Sequence, residues 1–152
     1  MIAYKVVDKK TRKGSNFVLI AHNFNDTPEE TEKLSNKKGH KQYFPYYLKG
    51  KRVYKARNSV GIICFTYKSD AENFREMYSA LKEYSIIIKV ETGTLLPEGN
   101  IFCRCGNSIV YIGQRIKNKT KSERYTHGIY SPDSIEKNFG KVFFCASVLV
   151  LE

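Results

Sequence analysis

Tryptophan is absent from the 152 residues and proline occurs four times, and no apolar run reaches the roughly 18 residues that would cross a bilayer. Met1 to Lys10 lacks the continuous apolar segment of a secretory signal, so an intracellular chain with no membrane partner is expected. Structural disulfides are not expected of the four cysteines either, since a reducing compartment keeps thiols free. Glycine-rich phosphate loops are missing, and Gly93, Gly99 and Gly106 are spaced as turn formers. His22, His40 and His127 stand apart, with no paired-histidine motif, so no cofactor and no metal motif is indicated. Asp26, Glu29, Glu30 and Glu32 form the densest acidic patch, but they open a helix, where negative charge offsets the dipole.

The longest gap is in carboxylates. From 33 to 69 there is none, while Lys33, Lys37, Lys38, Lys41, Lys49, Lys51, Arg52, Lys55, Arg57 and Lys68 supply nearly the whole net charge of +11. Tyr43, Phe44, Tyr46, Tyr47 and Tyr54 are interleaved with them. Cations that neutralise phosphate, alternating with flat rings on which bases stack, are the composition of a nucleic-acid or other polyanion surface. The candidate set is Lys37, Lys38, Lys41, Tyr43, Tyr46, Tyr47, Lys49, Lys51, Arg52, Lys55 and Arg57. A second basic region, Arg104 to Arg124, adds Arg115, Lys117, Lys119, Lys121 and Arg124, with Tyr125 beside it. His40, between Lys38 and Lys41, is either part of an anionic site or a loop histidine. No helix carries Arg, Asn or Gln along one face, so major-groove reading is not indicated. Lysine outnumbers arginine nineteen to seven, and coding bias accounts for the same excess without any ligand. An acidic protein is the alternative partner, and the oligomeric state is open.

Hydrophobic residues make up 41% and aromatics 13%, enough for a folded single domain over 1–152. Ala3 to Val7 and Asn16 to Ala21 read as two strands of a hairpin. Thr27-Pro28-Glu29-Glu30 is a capping box opening a polar surface helix, within a basic insertion or loop region over 26–58. Val60 to Tyr67 is an apolar strand, and Ala71, Phe74, Met77, Tyr78, Leu81 and Tyr84 then fall on one face of a core helix over 69–84, capped by Ser69. Ser85 to Glu91 is a strand, Gly106-Asn107 turns a hairpin, Ser131 to Asn138 is a short helix, and Val142 to Leu151 is one long buried strand. Cys64 and Cys145 lie in apolar strands, where a thiol acts as a small hydrophobe. Cys103 and Cys105, with the other two thiols and His127, are the one set from which a zinc site could be assembled. The expected architecture is α+β: a curved or split, mostly antiparallel sheet, one main amphipathic helix (69–84) and short peripheral helices.

The order Ala3-Tyr-Lys-Val-Val7, Lys49-Gly-Lys51, Gly61-Ile-Ile-Cys-Phe65, Ser69-Asp-Ala-Glu-Asn-Phe74 and Ile86-Ile-Ile-Lys-Val-Glu91 resembles a loose group of small phage and large-DNA-virus proteins. The arrangement is similar to the split sheet of ADP-ribosyltransferases. That resemblance implies a viral or mobile-element origin, and as activity a transfer of ADP-ribose, with Arg57 and Ser59, Tyr111, and Glu91 or Glu123 as candidates. The Ser-Thr-Ser strand and the Glu/Gln-x-Glu loop of those enzymes are missing. A non-catalytic basic binding protein is therefore the first expectation, a virion-associated or host-interaction protein the second, and a transferase the third.

Overall fold

The computed structural model describes residues 1–23, 27–38, 41–57, 61–76, 78–96, 101–102, 129–130 and 142–152. The fold is α+β. Strand β1 (Ile2–Asp8) leads into helix α1 (Ser15–Asn23) and helix α2 (Pro28–Ser35). A 3₁₀ turn, Lys41–Tyr43, precedes β2 (Arg52–Tyr54) and β3 (Ile62–Phe65). Helices α3 (Lys68–Glu76) and α4 (Ser79–Tyr84) follow, then β4 (Ser85–Thr92), the short pair β5 (Ile101–Phe102) and β6 (Ile129–Tyr130), and finally β7 (Val142–Cys145) and β8 (Ser147–Val150).

Six strands form one antiparallel sheet in the order β2-β8-β4-β1-β3-β7. β7 and β8 are separated only by Ala146, yet stand four strand spacings apart in that order. In a flat sheet those spacings would amount to about 19 Å, whereas two residues reach about 7 Å. The sheet must therefore curl over on itself, and it does so without closing. The run expected as a single strand over 142–151 is thus two strands with a corner between them. Gly93, Thr94 and Leu96 follow that corner, with backbone bonds Gly93 N–H to Ser147 O (2.8 Å), Ala146 N–H to Thr94 O (2.8 Å) and Leu96 N–H to Phe144 O (2.9 Å).

Strand alternation gives the sheet two apolar faces. The inner one gathers Ala3, Val7, Val53, Ile62, Cys64, Ile88, Val90, Cys145, Val148 and Val150, closed by Tyr47 from the segment before β2. The other face carries Val6 and Phe65 against Val18 of α1, Ala71 of α3 and Ala80 and Leu81 of α4. Tyr47 is held there by backbone bonds: its N–H donates to Arg12 O (2.8 Å) and its O accepts from Arg12 Nε (2.9 Å). Consequently 26–58 is not only a surface insertion. It contributes β2 to the sheet and buries Phe44, Tyr47 and Val53.

Asn16 to Ala21 is helical, not a strand. Its apolar run has no helical period because the helix is covered on two sides, Val18 against the sheet-side core and Phe17 and Ala21 against Phe44. A short apolar run buried all round has the same sequence signature in either conformation. The N-cap is as expected, with the Thr27 hydroxyl accepting the Glu30 N–H at 3.2 Å and Pro28 opening the helix. Ala71, Phe74, Tyr78, Leu81 and Tyr84 of the core stripe are where expected, Met77 lying outside the described residues, but the helix is broken, Tyr78 being extended (φ −128°, ψ 121°). Geometry explains the break. β3 and β4 run parallel with β1 between them, and the chain must return only from the level of Tyr4 to that of Asp8. That distance is about 13 Å, which nine helical residues cover, whereas an unbroken helix over 69–84 would be about 24 Å long. Arg75 fixes the junction, its Nε donating to Ser85 Oγ (3.0 Å) and its Nη2 to the Ser85 and Lys82 carbonyls (2.8 and 3.1 Å). The Gly106-Asn107 hairpin and the 131–138 helix lie outside the described residues.

Candidate nucleic-acid interface

The basic segment is organised around β2. Leu48 to Lys51 is a tight turn, with Lys51 N–H to Leu48 O at 3.0 Å and Gly50 at φ 78°, a conformation that favours glycine. Gly50 N–H and Lys51 O then both bond Val150 (2.8 and 3.0 Å), so Lys49, Lys51 and Arg52 project from a fixed backbone. On β2 the parity of the strand decides orientation: Val53 points into the core, while Arg52 and Tyr54 share the outward side and are both exposed. Arg52 Nη1 donates to Ser147 Oγ at 3.1 Å, which orients the guanidinium, and among the described residues no carboxylate pairs with it. A Cβ at position 93 would collide with that same Ser147 hydroxyl, so glycine there permits the approach.

At the other end of the segment, the Arg57 N–H donates to Gln42 Oε1 (3.1 Å), placing Arg57 next to the 3₁₀ turn and Lys41. Lys41 N–H in turn bonds Lys37 O (3.2 Å). Lys37, Lys38, Lys41, Lys49, Lys51, Arg52 and Arg57 are all exposed, and Lys55 is half-buried. Among the described residues the one ion pair is Lys82–Glu76, far along the chain from this segment. These cations are thus brought onto one continuous segment.

The aromatic residues divide. Tyr47, a candidate stacking residue on sequence grounds, is 4% exposed and belongs to the core, and burial pushes its phenol far above the ordinary range. It can present no ring to a ligand, because its register opposite Arg12 turns it inward. Phe44 is likewise buried. Tyr43 is half-buried beside Phe17, its carbonyl accepting from Asn16 Nδ2 at 3.0 Å. Tyr46 is 40% exposed, with the Lys13 ammonium 4.4 Å from its ring centre. Tyr54, at 68%, is the most exposed of these rings, although the candidate set drawn from composition does not contain it. The out-in-out parity of Arg52-Val53-Tyr54 is the signal that marks it.

Two lysines that composition assigns to the surface are buried. Lys13 donates to Ser35 Oγ (2.8 Å) and Asn36 Oδ1 (3.0 Å), tying the turn after β1 to the end of α2. Burial lowers its pKa to about 8. Lys5 lies in the inner core, 4% exposed, donating to Ile63 O at 3.1 Å with its ammonium 4.8 Å from the centre of the Tyr47 ring. Desolvation lowers its pKa, opposed by the neighbouring Cys64 and Cys145. The parity of Ala3, Lys5 and Val7 puts all three on one face, a signal available in the sequence.

The remaining candidates do not converge among the described residues. Arg115, Lys117, Lys119, Lys121, Arg124, Tyr125, His40, Cys103, Cys105 and His127 lie outside them, as do Ser59, Tyr111 and Glu123. Glu91 is exposed near the end of β4, opposite Ile2 and Leu149, and no hydrogen bond or ion pair joins it to Arg57. No group of three or more metal-ligating side chains occurs among the described residues, and no helix there is long and apolar enough to cross a membrane. No protein-family model, curated protein or solved structure matches the chain.

Proposed function

We propose that the chain is a non-catalytic binding protein for nucleic acid, engaging single strands through the Lys37–Arg57 segment. The observation that carries this reading is the pairing of Arg52 and Tyr54 on the outward side of β2, flanked by Lys49, Lys51 and Arg57, which have no carboxylate partners among the described residues. A guanidinium and an exposed ring two residues apart meet the two needs of a flexible strand, a phosphate contact and a base to stack. The cations supply affinity by releasing counterions, and the ring supplies a sequence-tolerant contact that a paired base cannot reach. Fluorescence polarisation with a labelled single-stranded oligonucleotide tests the reading. Binding should weaken steeply with salt, by a log–log slope of about −0.7 for each phosphate neutralised. A duplex of the same length should bind less tightly. Binding that ignores salt, or favours duplex, would remove the basis for it.

A further inference from the structure

Inside the curled sheet, away from the basic face, Cys64 of β3 and Cys145 of β7 bring their sulfurs to 3.9 Å, both side chains fully buried. In the β3–β7 register Cys64 opposes Phe143 and Cys145 opposes Ile62, so the two thiols are diagonal neighbours on one face of adjacent strands. No disulfide joins them; the contact is a thiol–thiol hydrogen bond. Cys145 Sγ donates to Ile62 O at 3.5 Å, which leaves Cys64 as the donor between the two sulfurs. The third member of the cluster is Lys5 of β1, the strand next to β3, which has no carboxylate partner among the described residues and whose charge acts on both sulfurs.

We propose that Cys64 and Cys145 are a peroxide-oxidisable pair, with Cys145 as the attacking thiolate, Cys64 as the resolving thiol and Lys5 as the cation that stabilises the thiolate. Three features support the division of labour. The thiol–thiol hydrogen bond, followed by burial, holds Cys64 well above the usual thiol range. The same bond lowers Cys145, with burial opposing it and the charge of Lys5 assisting. β7 is the last strand in the sheet order, with β3 on one side and on the other only the 94–96 segment, held by the Leu95–Cys145 bridge and Leu96 N–H to Phe144 O, so opening of that short cover brings a small oxidant to Cys145 before Cys64.

The chemistry balances with a hydroperoxide as oxidant. The Cys145 thiolate attacks the distal peroxide oxygen, the O–O bond breaks, and the alkoxide or hydroxide leaves as alcohol or water after taking a proton, giving a sulfenic acid. The Cys64 sulfur then displaces that hydroxyl as water. In sum, two thiols and one hydroperoxide yield one disulfide, one alcohol and one water. The product joins β3 to β7 and fixes the edge of the curl.

The test uses the full chain with Cys103 and Cys105 replaced by serine, leaving Cys64 and Cys145 as its thiols. Folded protein is treated with a small excess of hydrogen peroxide, and the products are read by denatured thiol titration, non-reducing electrophoresis and peptide mapping by mass. The expected result is loss of two thiols and about 2 Da per monomer, a Cys64–Cys145 linked peptide, reversal by dithiothreitol and a raised melting temperature. Lys5→Met should slow the oxidation at least tenfold at neutral pH, and Cys64→Ser should convert the product to a trappable sulfenic acid on Cys145. Thiols that stay reduced under conditions that oxidise a free surface thiol, or that crosslink only between molecules, would overturn the proposal. Oxidation at the same rate in folded Lys5→Met would overturn the role of Lys5.

Discussion

The ammonium of Lys5 lies 4.8 Å from the centre of the Tyr47 ring, and both side chains are closed off from water. One contact therefore removes a lysine from the basic surface and a tyrosine from the stacking set. Placing an ammonium over an aromatic face offsets part of its lost hydration, but no carboxylate among the described residues completes the compensation.

Lys5→Met should consequently be tolerated, from neutral to stabilising by on the order of 1 kcal/mol at pH 7, since a flexible apolar chain fills the same volume without the desolvation cost. Urea unfolding measures it. A loss above about 2 kcal/mol would mean that the bond to Ile63 O and the ring contact outweigh that cost.

The buried Lys13 makes a pH prediction. Its pKa falls to about 8 in the folded state from 10.5. Between those values the unfolded chain binds more protons than the folded one, so this group favours folding increasingly as pH rises through about 8 toward 10.5. Unfolding curves of wild type and Lys13→Met, compared at pH 7 and pH 10, should show wild type gaining relative to the variant. A constant difference would place the ammonium in contact with water.

Tyr54 and Tyr47 should separate cleanly. Tyr54→Ala is expected to leave the melting temperature nearly unchanged and to cost about 1–3 kcal/mol of single-strand binding. Tyr47→Ala should instead destabilise the fold, by roughly 3–5 kcal/mol if it behaves as other large aromatic truncations do.

Reversing Lys49, Lys51 and Arg52 to glutamate should leave folding intact, because exposed charges contribute little to stability. The salt slope for single-stranded oligonucleotide should fall in magnitude by about 2, three contacts at roughly 0.7 each. An unfolded triple variant would show that the Arg52–Ser147 bond is structural.

Leu81 and Phe74 test the broken helix. Leu81 is fully buried under the sheet while Phe74 is only partly so, its ring 5.3 Å from that of Phe65. Leu81→Ala should cost about 2–5 kcal/mol in chemical unfolding, and Phe74→Ala less than its size suggests.

Local chemistry was enough to place several elements. Thr27 and Pro28 specify a helix start, Lys49-Gly50-Lys51 specifies a turn, and the stripe from Ala71 to Tyr84 specifies a core face, because each depends on neighbours within a few residues. The α+β class follows from the same local signals, whereas the curl of the sheet follows from the strand order that sets β7 and β8 four spacings apart. The partners of these elements do not follow locally either. Nothing near Met77 or Tyr78 breaks a helix; the break answers the distance between β3 and β4, which is fixed by β1 standing between them. Asn16 to Ala21 is helical because α2, α4 and β1 surround it. Of the binding candidates, composition determined the cationic segment, since charge and exposure go together for most lysines. Which side chains face water was decided by tertiary structure. Strand parity turned Tyr54 out, the register opposite Arg12 turned Tyr47 in, and the sheet order β1-β3-β7 enclosed Lys5 in the same core as two thiols 81 residues apart in sequence.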